Sequence, residues 1–140
     1  MPSTTPIPTR SSMIDPAIIR GAPLAEEPGL GALTMPGFLR EVTTRFGPRE
    51  ALVHREHGAR ISWSYGDVWQ RASEVARALI ACGSAKDERI GLLMSNRPEW
   101  VSGCFGIGLA GGVAVGLSTF STPDELAALI ELSGVSTLLT

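Results

Sequence analysis

Phe38, Leu39, Val42 and Phe46 recur at the three-to-four-residue spacing of a helix with one dry face, and Gly47-Pro48 stops the run. Ala51-Leu52-Val53 and Arg60-Ile61-Ser62-Trp63 are short strand-forming runs on either side of Glu56-His57-Gly58, a pattern that predicts a hairpin. Ser64-Tyr65-Gly66-Asp67 then supplies the hydroxyl and the acid of a capping box. Val68, Ala72, Val75 and Leu79 follow on one helical face, and Gly83 stands where such a helix turns left-handed to end.

The second half alternates. Ile90-Gly91-Leu92-Leu93-Met94 is nearly all apolar and suits a strand buried on both faces. Asn96-Arg97-Pro98-Glu99 predicts a helix start with Asn96 as the cap and Pro98 in the first turn. Gly111-Gly112 ends that helix, and Val113–Leu117 is the next strand. Thr122-Pro123-Asp124-Glu125 is a second capping box, Leu126, Leu129, Ile130 and Ser133 carry its helix to Gly134, and Val135–Leu139 is a third strand. Strands that recur every 22–23 residues with helices between them require crossover connections. The expected fold is therefore α/β: an N-terminal helix and β-hairpin, then an incomplete parallel βαβαβ unit. Parallel strands need cover on both faces and most edges, so the apolar strand that reaches Thr140 is expected to have further chain or a partner beside it.

Six of the ten prolines fall before Gly29 among few large apolar residues. Residues 1–33 are accordingly expected to form a flexible Pro-rich arm, and 34–140 the folded portion. The arm offers no apolar run longer than Ala17-Ile18-Ile19, and Pro2, Pro6, Pro8 and Pro16 break the amphipathic helix of an organelle transit peptide. A cytoplasmic location is expected. The 140 residues are 44% apolar and 19% charged, the profile of a folded chain, and a net charge of −2 excludes a dominant attraction to nucleic acid. Cys82 and Cys104 cannot make a disulfide framework and read as reduced, inert core thiols.

Two signals compete with this reading. Gly106-Ile107-Gly108-Leu109-Ala110-Gly111 matches the dinucleotide fingerprint, but that chemistry needs a strand immediately before it and a helix that opens at it. Here the glycines fall at the end of an expected helix, where close packing against a neighbour is their better use. Trp100–Pro123 carries no charge and has the length of a membrane span, yet Gly111-Gly112 divides it into a core helix and a core strand. His54 and His57 flank the hairpin turn without further ligands and read as surface residues. Trp63, Tyr65, Trp69 and Trp100 read as core or interface fillers. No catalytic, cofactor-binding or metal-ligating residue is assigned. A Rossmann-like oxidoreductase fragment built on the glycine match and a non-catalytic interaction module stand as the alternatives.

An ordered set of short signatures from Leu39 to Thr140 resembles the opening of an AMP-forming acyl-CoA synthetase, of the adenylate-forming superfamily. They are Ala51-Leu52-Val53, Ser62-Trp63-Ser64-Tyr65-Gly66-Asp67, Leu79-Ile80-Ala81-Cys82-Gly83, Glu88-Arg89-Ile90-Gly91-Leu92-Leu93 and Ser95-Asn96-Arg97-Pro98-Glu99-Trp100, then Leu109-Ala110-Gly111-Gly112-Val113, Thr122-Pro123-Asp124-Glu125-Leu126 and Ser133-Gly134-Val135. The chain departs from the family at Ser84-Ala85-Lys86-Asp87, where a Gly-x-Gly-Asp is usual, and at Ser118-Thr119, where Asn-Pro is common.

The resemblance implies the N-terminal part of a large ATP-dependent carboxylic acid–CoA ligase, with the phosphate loop, the Mg²⁺-binding pair and the catalytic lysine all downstream. It implies ATP, Mg²⁺ and CoA for the whole enzyme, none of them expected to bind this chain alone. Its partner would be a carboxylic acid substrate, with no nucleic acid and no membrane span; a homo-oligomer stays open.

Overall fold

The structure, a computed structural model, describes residues 34–140; the expected arm over 1–33 lies outside the described residues. Helix α1 (Met35–Phe46) begins where Thr34 accepts a hydrogen bond from the Gly37 N–H at 3.1 Å, with Pro36 in its first turn. Of its apolar face, Leu39 is buried and Val42 packs beside it, whereas Phe38 and Phe46 stay exposed. Strands β1 (Glu50–Glu56) and β2 (Ala59–Ser64) pair antiparallel around His57 and Gly58, at φ +49° and +82°. Two successive left-handed residues match the right-handed twist of the flanking strands, which is why a two-residue connection suffices.

Helix α2 (Tyr65–Ala81) carries the expected box. Ser64 Oγ accepts from the Asp67 N–H at 3.1 Å, and the Asp67 carboxylate accepts from the Ser64 N–H at 2.8 Å. At the other end the Gly83 N–H reaches Ile80 O and the Ser84 N–H reaches Leu79 O, both at 3.0 Å, while Gly83 sits at φ +86°. This double closure satisfies the last carbonyls and needs a residue that tolerates the left-handed region. Ser64→Ala is expected to lower the stability of the chain by about 1 kcal/mol, read as a shift in urea midpoint at unchanged slope. An unshifted midpoint would mean that water replaces the cap at no cost.

The parallel sheet has the order β4-β3-β5, from β3 (Arg89–Leu92), β4 (Val113–Gly116) and β5 (Thr137–Leu139). The first strand is thus central, and both later strands pair directly with it. Ile90 and Leu92 point to one face and are fully buried against Leu79 of α2 and Ile107 of α3 (Pro98–Leu109). A second core cluster joins Leu39, Trp63, Val68 and Ala72 beneath the hairpin.

Helices α2 and α3 meet where Gly106 has no side chain: a Cβ there would lie 2.6 Å from Val75 Cβ and 2.9 Å from the Ala72 carbonyl oxygen. The opposite face of the sheet is thinly covered. Gly91 meets Leu138, Leu117 and Val135, but Val113 and Leu138 remain over 40% exposed. Helix α4 (Pro123–Ser133), closed by left-handed Gly134, buries no residue, and its Leu132 is 87% exposed.

Three expectations need correction. The cap of α3 is Arg97, not Asn96, and its side chain makes no capping hydrogen bond. Pro98 at the first helical position forces the residue before it into extended backbone, φ −126° and ψ 156°, so the boundary falls there and Asn96 is left outside the helix. Cys82 is not a core thiol: it is the cap residue at the exposed end of α2, and only Cys104 is partly buried. His54 is half-buried, since its strand turns it toward the start of α3, and only His57 is a surface residue.

Candidate functional site at the carboxyl ends of the strands

In an open parallel sheet the loops that leave the carboxyl ends of the strands frame the ligand crevice, because each crossover returns at the other end. Here the loop after β3 (93–97) and the loop after β4 (117–122) frame a cavity of about 640 Å³. Met94, Trp100, Leu117 and Phe120 give it apolar surface; Ser95, Asn96, Ser118 and Thr119 give it hydroxyl and amide groups.

Backbone pairing fixes both loops at their roots: the Leu117 N–H donates to Leu92 O at 3.0 Å, and the Leu93 N–H to Leu139 O at 2.9 Å. The second loop is held further by Ser118, whose Oγ accepts from the Phe120 N–H at 3.2 Å, and by the Thr122–Glu125 capping box that begins α4. Phe120 is therefore held outward, 96% exposed, between two anchored turns. On its far side a groove of about 500 Å³ runs along α4 past Ala128, Leu129 and Leu132.

No ionisable side chain lines the cavity. Its groups can position an uncharged part of a ligand, but they include no carboxylate to hold Mg²⁺, no basic residue for a phosphate chain and no general acid or base. Residues that line this cavity do not fit the ATP–Mg²⁺ unit.

The titrating groups lie elsewhere. At the amino ends of the strands Glu88 accepts from Ser136 Oγ at 2.7 Å, Thr137 Oγ1 at 2.8 Å and the Ala85 N–H at 2.8 Å, which ties the start of β5 to the loop before β3. These donors, Ser136 first, hold its carboxyl below the usual glutamate range. A carboxylate whose folded pKa is depressed stabilises above its unfolded pKa, and that contribution is lost as pH falls through the folded value. Amide shifts of Ser136 and Thr137 should therefore titrate with a midpoint below the ordinary glutamate value, and Glu88→Gln should abolish that titration. A midpoint at or above the ordinary value would refute the tether.

The glycine-rich run sits at the same end. Gly106 and Gly108 are inside α3, and Gly111 at φ +84° follows its last turn. The Gly111 and Gly112 N–H groups are spent on Gly108 O and Ile107 O, at 3.1 and 2.9 Å. The strand-to-helix turn that a dinucleotide needs is absent from this run.

Trp63 packs in the core under the Arg71 guanidinium, 4.2 Å from its ring, and Tyr65 lies 6.3 Å from Phe46. His54 lines a smaller cavity of about 280 Å³ with Asn96, Arg97 and Trp100 and is not brought together with His57 as a ligand pair. Burial pushes the Cys104 thiol up, away from nucleophilic use. Among the described residues no three His, Cys, Asp or Glu side chains gather to hold a metal, and no helix is long and apolar enough to cross a membrane. Ser95, Asn96 and Trp100 of the cavity fall within a family-like signature that suggested no site role. The Ser118–Phe120 side was missed because it has no motif of its own; only its place after a parallel strand marks it.

The family described as AMP-binding enzyme matches residues 39–140. The chain is 35% identical over 94 residues to the acyl-CoA ligase sidI of Aspergillus fumigatus, which covers 67% of this chain and 16% of that protein. It is 31% identical over 96 residues to 4-hydroxybutyrate–CoA ligase 2 of Metallosphaera sedula, covering 69% of this chain and 17% of that one. The structure superposes on a Mycobacterium tuberculosis fatty acyl CoA synthetase with a TM-score of 0.69 and 28% identity, over 75% of this chain and 20% of the other. The chain spans about a sixth of the length of these two curated relatives.

Proposed function

Because the chain belongs to the AMP-binding enzyme family, we propose that it is the N-terminal portion of a carboxylic acid–CoA ligase, with 34–140 as the start of the adenylate-forming domain and 1–33 as a preceding arm. The whole enzyme would join a carboxylate to the α-phosphate of ATP, releasing pyrophosphate, and then pass the acyl group to the thiol of CoA. ATP, Mg²⁺ and CoA would be held by residues outside this chain. The role of this portion is scaffold and wall: the buried central strand fixes two loops, and those loops present neutral surface toward the crevice.

The observation that carries the reading is the family match over residues 39–140, laid on a fold whose ligand-sized opening has no reactive group. The thin cover of α4 and of the second sheet face supports it too, since exposed apolar surface of this extent marks a place where more protein packs. On this reading the enzyme works in the cytoplasm on a carboxylic acid, without nucleic acid.

Purified 1–140 is expected to catalyse no acid-dependent ATP–pyrophosphate exchange above a protein-free control. Exchange above that background would overturn the division of labour. In a chimera, residues 34–140 would replace the matching segment of the M. tuberculosis fatty acyl CoA synthetase. That chimera should retain measurable exchange; a folded chimera that still binds ATP but shows none would count against the family role.

A further inference from the structure

We draw no further inference here: the strongest candidate, the apolar groove between the 118–121 loop and α4, belongs to the face already assigned to the rest of the fold, and nothing in the structure points to another occupant.

Discussion

Gly106→Val is expected to unfold the chain or to lower its urea midpoint drastically, whereas Gly116→Ala should leave the midpoint unchanged or slightly raised. In an exposed helix interior, replacing glycine by alanine gains about 1 kcal/mol. At Gly106 that gain is outweighed. The new Cβ would sit 2.6 Å from both Val75 Cβ and Cγ1 and 2.9 Å from the Ala72 carbonyl oxygen. A flexible side-chain end can swing aside, but a backbone carbonyl and a branched Cβ cannot, so α2 and α3 must separate. Overpacking of a tight core costs roughly 1–3 kcal/mol for small excesses, and valine adds two methyl groups more. At Gly116 the nearest atom, Trp100 Cζ2, would be 3.9 Å away, an ordinary contact. A Gly106→Val protein that melted like the parent would show that the helices are not in such close contact.

Leu92→Ala is the second large effect, with an expected loss of about 2–5 kcal/mol in equilibrium unfolding. Leu92 is fully buried on the central strand, where both neighbouring strands depend on it. A Cβ at Gly103 would lie 2.9 Å from Leu92 Cδ2, so the pair is coupled across the sheet–helix interface. Gly103→Ala alone should destabilise. In the Leu92→Ala background it should cost less or even stabilise, because the methyl enters the space that leucine vacated. Additive effects in that cycle would contradict the packing described.

What was legible in the sequence is what depends on near neighbours. Ser64 with Asp67, Thr122 with Glu125, and the glycines at 83, 111 and 134 act within one turn of backbone, so spacing alone reveals them. Asn96 shows how local signals compete: a good capping residue lost to the constraint that Pro98 places on Arg97. The family was legible through many such short features in order. The sheet order was not, since parallel strands of similar composition give no cue to which of them is central. Glu88 gave no cue either, because Ser136 and Thr137 lie 48 and 49 residues away. The exposure of α4 was hidden for a related reason. Leu126, Leu129 and Ile130 mark an apolar stripe, but a stripe does not say what lies against it.

The placement of β5 beside β3 has a consequence for how the molecule assembles. Its edge is stitched to a ribbon laid down long before, as the Ser136 N–H reaching Arg89 O across 47 positions shows. A ribosome adding about 5–20 residues per second would leave that ribbon without its second neighbour for roughly 2–9 s. Closing so long a loop also carries an entropic toll that helix formation does not, so the pairing of β5 with β3 should be slower than the formation of the helices between them.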